Sequence, residues 1–300
     1  MDMHVDLGGP GATLGSPSGF PSRGPGTPYL LLAARGRRMD DADEATLAEL
    51  ASALADAETA VALTGAGISA PSGVPTFRGE DGVWGNEFDP EDFRIGRLRR
   101  DPAGFWRDRV DLHDRLFPDS VEPNSAHEAL ASLEAAGRLE AVVTQNTDGF
   151  HAAAGSETVL ELHGNAARVA CVDCGATRPA EPVHERVRTA IEAGDGEALP
   201  PTCPDCGGLV KPDVVLFGES LPRSTFQRAQ AFAADSDVFL AIGSSLEVEP
   251  AASLPRQAAA GGTLAIVNLA STRADGRADI RLRADVTDVL PALAARLDAD

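Results

Sequence analysis

The stretch that decides the fold is TGAGISA at residues 64–70, which ends the apolar, β-rich run 59–64. Its two glycines and Ala70 fit the G-x-G-x-x-G/A pattern of a dinucleotide-binding turn. In such a turn Gly65 permits a tight bend, Gly67 lets the backbone approach a pyrophosphate, and Ala70 allows close helix packing. A glycine turn between a strand and a helix also occurs without a ligand, so this pattern alone leaves the cofactor open.

Apolar strand candidates and helical patterns alternate along the chain outside this turn. The further strand candidates lie at residues 141–145, 159–162, 214–217, 238–242, 264–267 and 280–282. The helical patterns lie at residues 47–54, 124–136, 223–234, 251–260 and 286–297. Because helix-length segments separate several of the strands, the sequence predicts the α/β class, as a Rossmann-like, doubly wound parallel sheet covered on both faces.

Two segments interrupt this alternation and predict insertions into the main domain. Residues 80–118 are charged and aromatic, with a helix expected at 102–116, and form a helical insertion. Residues 168–212 contain all four cysteines and form a small zinc-binding domain. The Rossmann-like domain then consists of the remaining segments, residues 39–79, 119–167 and 213–300.

The first 38 residues differ in composition from the rest of the chain. Residues 1–38 are rich in glycine and proline in their first part, which predicts a disordered or mis-assigned N-terminal tail. Met39 opens an acidic helix start and is the expected natural first residue. The apolar run 29–34 is too short for a membrane span and precedes its basic cluster, unlike a signal peptide. We therefore expect a cytoplasmic location.

The charge balance is strongly acidic, with 46 Asp and Glu against 26 Lys and Arg and a formal net charge of −20. Such a field repels phosphates, so we expect no direct nucleic-acid partner and no membrane partner. An acidic, halophile-like solvated surface is the simplest interpretation. Lys211 is the only lysine in the sequence. The oligomeric state does not follow from these features.

Two CxxC pairs, Cys171/Cys174 and Cys203/Cys206, predict a metal site. Glycines follow each pair and allow the tight turn that presents two thiolates to one ion. The 175–202 separation is longer than the common spacer of about 15–20 residues, which indicates an excursion within the module. Four thiolates favour a closed, structural zinc site without an open catalytic position. A pair of redox centres is the alternative.

Polar residues follow two further strand candidates, where an open α/β sheet builds its ligand crevice. Residues 145–151 read QNTDGFH, and Asn146 and Asp148 there could also serve only as turn and cap residues. Residues 161–165 read ELHGN. The imidazole of His163 can accept a hydroxyl proton near neutral pH and return it, although a lone histidine is more often structural.

These motifs together resemble the sirtuin family, in order, over about residues 43–295. The run from Gly65 to Gly79 resembles the sirtuin cofactor loop, and the QNTDGFH and ELHGN segments resemble its nicotinamide-pocket and catalytic motifs. By this resemblance Asn146 and His163 are catalytic, with His163 the proton acceptor. The cofactor contacts it implies are Gly65, Ala66, Gly67, Ile68, Phe77, Arg78, Trp84, Gln145, Asn146, Thr147, Asp148, Gly243, Ser244, Ser245, Asn268, Leu269 and Val286. The substrate-binding residues it implies are Val214, Val215, Phe217, Gly218 and Glu219.

The resemblance implies an NAD-dependent protein-lysine deacylase with structural Zn²⁺, acting on acylated-lysine proteins. NAD is consumed as a co-substrate, and nicotinamide and O-acyl-ADP-ribose are released. One alternative is an NAD(P)-dependent oxidoreductase with structural zinc, against which stands the missing ribose-binding acid on a second strand. The other is a non-catalytic regulator that binds NAD or ADP-ribose.

The acyl preference is predicted from the helix over residues 105–113. Sirtuins that favour succinyl-lysine resemble one another in a Tyr and, three residues later, an Arg at this place. Aligned on Trp106, this chain has Arg109 and Leu112 instead, and its only tyrosine is Tyr29. We therefore expect acetyl or another neutral acyl group.

Overall fold

The computed structural model describes residues 39–77, 82–258 and 261–298. The strands are β1 (Ala60–Thr64), β2 (Ala141–Thr144), β3 (Val159–Glu161), β4 (Gly164–Cys171), β5 (Thr177–Pro179), β6 (Val210–Val214), β7 (Val238–Ile242), β8 (Thr263–Val267) and β9 (Ile280–Leu282). The α-helices are α1 (Asp41–Asp56), α2 (Ile95–Arg100), α3 (Pro102–Leu116), α4 (Ser125–Ala135), α5 (Phe150–Ala153), α6 (Glu181–Ala193), α7 (Arg223–Asp235), α8 (Leu254–Ala258) and α9 (Val286–Leu297). The predicted tail, residues 1–38, lies outside the described residues.

Six strands form one sheet in the order β3-β2-β1-β7-β8-β9, and every neighbouring pair is parallel. This is the strand order of a Rossmann-like fold, with the order reversing between β1 and β7. All five residues of β1 and of β7 are buried, as expected for central strands covered on both faces. The predicted fold class is confirmed.

Helices cover both faces because alternate residues of each strand point to opposite sides. Ala60 and Ala62 of β1 pack in a core with residues of α1, α4 and α9. Val61 and Leu63 pack on the other face with residues of α7 and α8. The two apolar cores hold the sheet as a rigid platform, whose carboxyl edge carries the loops described below.

A second, three-stranded antiparallel sheet has the order β5-β4-β6. Together with α6 it packs against α3 of the helical segment, through a core that includes Trp106, Val187 and Val210. Its strands run from Gly164 to Val214, slightly beyond the limits 168 and 212 expected from the sequence.

The prediction of a strand at residues 214–217 was wrong. Val214 ends β6 in the antiparallel sheet, and the residues after it form no strand of the parallel sheet. The backbone N–H of Val215 donates instead to the carbonyl of His163, and Phe217 makes an isolated bridge to Arg94. An apolar run of this length does not reveal which sheet its backbone joins.

Two regions contain 3₁₀ turns, one directly after β1 and one within a segment where the sequence pattern predicts a helix. The segment after β1 consists of two 3₁₀ turns, Ala66–Ile68 and Ala70–Ser72, and ends at Gly73 with a left-handed φ of 94°. The helix expected at 251–260 is a 3₁₀ turn followed by the short α8. Among the residues described, no helix has the length and apolar character needed to cross a membrane.

Candidate functional site

The glycine loop after β1 packs directly against the loop after β7, across the point where the strand order reverses. The backbone N–H of Gly67 donates to the Gly243 carbonyl at 2.8 Å. A Cβ on Gly67 would lie 2.7 Å from that oxygen, so only glycine fits. Gly65 has an extended φ of −132°, and a Cβ at this position would lie 2.8 Å from the Cβ of Ser244. Close packing, rather than the expected tight bend, therefore requires glycine at position 65.

The loop after β2 is connected to the same edge by side chains. Gln145 Nε2 donates to Ser244 Oγ at 2.9 Å, and the Gln145 backbone N–H donates to the Thr64 carbonyl. Ser244 is buried and also accepts from the Leu246 N–H, whereas Ser245 is exposed. The loops after β1, β2 and β7 are thus joined by direct hydrogen bonds.

Four further residues of the predicted cofactor set lie at the same edge of the sheet but differ in accessibility. Asn268 follows β8 and its Nδ2 donates to the Ala270 carbonyl. Leu269 is 52 % exposed, an unusual exposure for a large apolar side chain that leaves it free to contact a ligand. Val286 begins α9 and is only 5 % exposed within the core. Ile68 is likewise fully buried, so it presents little but its backbone to the crevice.

Asn146 and Asp148, the polar residues after β2, are both held by Ser69. Asn146 Nδ2 donates to Ser69 Oγ at 3.0 Å and to the Gly65 carbonyl at 3.2 Å. Ser69 Oγ donates to Asp148 Oδ2 at 2.7 Å, and the Phe150 N–H donates to Asp148 Oδ1. Burial raises the pKa of Asp148, although these two donors favour its ionised form. Both predicted side chains therefore have one fixed orientation.

His163 lies between β3 and β4, and its ring is oriented by a backbone carbonyl. Its Nδ1 is 2.8 Å from the Gln145 oxygen. Because a carbonyl only accepts, Nδ1 carries the proton and the lone pair of the neutral ring is on Nε2. A Cβ on the next residue, Gly164, would lie 2.1 Å from the Asp213 oxygen, so glycine is needed where β4 meets β6. The structure thus places the His163 ring beside the loop that contains Asn146.

Two aromatic residues of the predicted cofactor site lie together. The rings of Phe77 and Trp84 are stacked with centroids 5.7 Å apart, and Trp84 also packs edge-on against Phe217 at 5.6 Å. These contacts join the cofactor loop, the helical segment and the predicted substrate strip. Arg78 lies outside the described residues.

The predicted substrate strip, residues 214–219, is attached to the segment that contains His163. The Val215 N–H donates to the His163 carbonyl at 2.9 Å. Glu219 Oε2 accepts from Lys211 Nζ and from the Leu216 N–H, each at 2.8 Å. The Glu219 carboxylate thus stabilises the turn of the strip by connecting its backbone to Lys211 of β6. Gly218 has a left-handed φ of 87°, which favours glycine at this turn.

The four cysteines converge at the outer part of the antiparallel sheet. Their sulfur atoms all lie within 4.8 Å of one another, with Cys171–Cys206 at 3.5 Å and Cys174–Cys203 at 3.8 Å. Four thiolates around zinc at about 2.3 Å lie about 3.8 Å apart, so the donor set fits a tetrahedral structural ion. A hydrogen bond from the Cys174 N–H lowers the pKa of the Cys171 thiol to about 7, which favours its thiolate.

The glycines that follow each pair have the conformation expected for the metal-binding turns. Gly175 and Gly207 have φ values of 73° and 74°, in the left-handed region. Their N–H groups donate to the carbonyls of Cys171 and Cys203. The cluster could hold a structural zinc and leaves no open coordination position for catalysis.

The acyl-recognition helix of the sequence prediction is α3, and its two key residues are buried. Arg109 is 4 % exposed and Leu112 is 5 % exposed. Burial lowers the pKa of Arg109 to about 10, and Asp114 partly offsets this effect. The titratable groups near Arg109 are Asp114 and His113 on α3 and His184 on α6, so its guanidinium lies between these two helices.

Sequence reasoning missed the buried residues that support this site. Ser69 joins Asn146 to Asp148, and His127 lies behind it with Nε2 3.3 Å from Ser69 Oγ. Thr144 Oγ1 accepts from the Asn146 N–H at 3.0 Å. The available signal was Asn124-x-x-His127 at a helix start, where a histidine replaces the Glu or Gln of a common capping box.

Comparisons with known proteins agree with this geometry. The Sir2 family model matches residues 65–250. An NAD-dependent protein deacetylase of Haloarcula marismortui is 56 % identical over 261 residues, covering 86 % of this chain and 97 % of that protein. NAD-dependent protein deacylase 2 of Archaeoglobus fulgidus is 44 % identical over 251 residues, covering 83 % and 94 %. A solved structure described as Sir2-p53 peptide-NAD+ has a TM-score of 0.71 and 36 % identity, covering 84 % of this chain and 98 % of that chain. The chain belongs to the Sir2 family.

Proposed function

We infer that this chain is an NAD-dependent protein-lysine deacylase that releases nicotinamide and O-acyl-ADP-ribose. The observation that carries the inference is the convergence of Asn146, Asp148 and His163 at the carboxyl edge of the sheet. They lie beside a glycine loop in which position 67 has no room for a Cβ. NAD, when bound, supplies a nicotinamide leaving group and an electrophilic ribose carbon. The chain's own residues must bind it, orient it and move one proton.

Binding and orientation fall to the loops at the sheet edge. The N–H-rich glycine loop and Ser244 offer donors to phosphate and ribose oxygens, and Phe77 shields the reactive ribose carbon. Asp148 accepts from the nicotinamide amide, and Asn146 contacts the ribose. The predicted cofactor residues given above, including Arg78, remain the proposed contact set.

The proton transfer is assigned to His163 Nε2. The neutral ring, fixed by the Gln145 carbonyl, accepts a proton from a ribose hydroxyl and so makes that oxygen nucleophilic towards the acyl carbon. Its segment also holds the strip, since the Val215 N–H binds the His163 carbonyl. We propose that Val214, Val215, Phe217 and Gly218 receive the acylated-lysine segment as an added strand, with Glu219 stabilising the strip.

The acyl group that this site prefers is acetyl or another neutral group. A dicarboxylic acyl group would need a cation in the pocket, and the guanidinium of Arg109 is buried near α6 instead. A buried carboxylate without a cationic partner costs several kcal/mol. The proposed partners are therefore proteins that carry neutral acyl-lysines.

We further propose the division predicted from the sequence: a Rossmann-like domain of residues 39–79, 119–167 and 213–300, a helical insertion at 80–118 and a zinc-binding domain at 168–212. A cytoplasmic location is also proposed. Its support is the set of four free cysteines, which need a reducing compartment to remain available as metal ligands.

The deciding experiment incubates the protein with NAD and an acetyl-lysine peptide at high salt. Free nicotinamide, deacetylated peptide and O-acetyl-ADP-ribose in equal amounts support the proposal. Reduced nicotinamide, or binding of NAD without turnover, would instead support the oxidoreductase or the regulator. His163→Ala should lower turnover about 10²–10⁴-fold while NAD still binds. His184→Leu, a buried histidine on α6, is the control and should retain turnover.

A further inference from the structure

We propose that His127 is a positioning residue for nicotinamide cleavage, acting through Ser69 on both Asn146 and Asp148. The inference rests on the proposed function, because it concerns the same pocket. His127 itself lies on α4, behind the glycine loop, and is fully buried.

The ring of His127 is held in one tautomer by the start of its own helix. The backbone N–H of Asn124, the N-cap of α4, donates to His127 Nδ1 at 3.2 Å. A nitrogen that accepts a hydrogen bond carries no proton, so the neutral ring is protonated on Nε2. Nε2–H therefore points its hydrogen to Ser69 Oγ, 3.3 Å away.

This assignment determines the direction of every hydrogen bond at Ser69. A hydroxyl has one donor and two acceptor sites. Both acceptor sites are filled, by His127 Nε2–H and by Asn146 Nδ2–H, so the hydroxyl hydrogen is left for Asp148 Oδ2 at 2.7 Å. With another tautomer at His127, the Ser69 hydrogen would be drawn to the ring and Asp148 would lose its donor.

The surroundings of His127 keep the ring neutral. Burial lowers the pKa of His127 to about 4, so the ring is neutral near pH 7 and the Asn124 N–H sets its tautomer. The titratable groups that face it are His151, with ring centroids 4.9 Å apart, and Asp148 through Ser69. Burial lowers the pKa of His151 to about 3, so that ring is also neutral. Phe150 packs edge-on against His127 and completes an apolar wall.

Asn124 also binds the loop that contains Ser69. Its Nδ2 donates to the Ile68 carbonyl and to Ser72 Oγ, each at 2.9 Å. The helix start thus fixes both the backbone next to Ser69 and the ring that orients its hydroxyl. Because Asn146 and Asp148 are the proposed contacts to ribose and nicotinamide, an error at His127 should affect the nicotinamide half of NAD and spare the ADP-ribose half.

The test compares His127→Leu, His127→Gln and the control His184→Leu, using kcat, KM for NAD, inhibition by free nicotinamide and affinity for ADP-ribose. His127→Leu should lower kcat and weaken nicotinamide inhibition by about three- to tenfold, the effect of one lost neutral hydrogen bond, because without the His127 donor the Ser69 hydroxyl is no longer held towards Asp148. ADP-ribose affinity should change less than about twofold. His127→Gln should restore much of the loss, because its amide N–H can donate at the position of Nε2. Combining His127→Leu with Ser69→Ala should add little to either substitution alone.

Two results would overturn the inference. One is nicotinamide inhibition in His127→Leu equal to that of His184→Leu; the other is additive effects of the His127 and Ser69 substitutions. Nitrogen NMR of labelled wild-type protein gives a test that does not depend on a variant folding. It should show His127 protonated on Nε2 near neutral pH, and a proton on Nδ1 would refute the mechanism. If wild-type protein does not deacylate peptides at all, the proposed function fails instead.

Discussion

Replacing the buried histidine His184 by leucine should reduce the loss of unfolding free energy that the protein undergoes as the pH falls. His184 lies on α6 with no exposed surface, and its ring is 4.2 Å from that of His113 and 6.0 Å from that of Trp106. Among the described residues neither ring nitrogen has a hydrogen-bond partner, so leucine removes no such bond. Burial, reinforced by His113, Arg109 and Arg188, lowers the pKa of His184 from 6.5 to about 3.

The sign follows from proton uptake by the two states. Between pH 6.5 and about 3 the unfolded chain binds a proton at this position and the folded chain does not. Stability is therefore lost as the pH falls below 6.5, at about 1.4 kcal/mol per pH unit. At pH 5 the wild type should have lost about 2 kcal/mol through this residue, and His184→Leu should have lost none of it.

The assay is urea unfolding at molar salt, at about pH 7.5 and pH 5, with equal added zinc for each protein. Since the four cysteines are the same in both proteins, any change in metal binding with pH cancels in the difference between them. Val187→Ala, a buried position on the same helix, should lower stability equally at both pH values. An equal loss of stability in wild type and His184→Leu would refute the reasoning.

Three further outcomes are expected. Cys171→Ser should lose bound metal and stability together, since metal binding and folding of such a module are coupled; a metal-free protein with full activity would contradict the zinc assignment. The net charge of −20 should make the protein melt at a lower temperature in dilute buffer than in molar salt, and a salt-independent Tm would contradict this. The ratio of kcat/KM on matched peptides should favour acetyl over succinyl, and the reverse preference would show that a cation other than the buried Arg109 enters the pocket.

The parallel sheet could be predicted from the sequence because each central strand carries its own signal. β1 and β7 are short apolar runs whose every residue is buried, and polar residues mark the carboxyl ends of β1, β2 and β7. The antiparallel strands are different: β5 is exposed throughout, and the half-buried β4 is interrupted by a register shift. Strands that bury little apolar surface leave no periodic pattern to detect.

The residues of the candidate site that follow strands could be predicted from the sequence, whereas the buried residues that support them could not. Residues 145–148 and His163 stand at strand ends, where position alone suggests a ligand role. Ser69 and His127 make their contact across 58 positions of sequence, and each has an ordinary local explanation as a loop serine and a helix-start histidine. A hydrogen bond between distant residues leaves no local pattern, so only the folded arrangement reveals it.

The chemistry needs an acylated lysine and a nicotinamide ribose in one place at one time, and the fold meets this need through direct contacts. Loops after β1, β2 and β7 are hydrogen-bonded to one another, which makes the cofactor edge one rigid unit. His163 joins that edge to the proposed substrate strip, since its ring binds the Gln145 carbonyl and its backbone carbonyl accepts from the Val215 N–H. A shift of the strip would therefore move His163, the proposed proton acceptor. Substitutions that loosen the strip, such as Glu219→Ala, should consequently lower kcat as well as raise the KM for peptide.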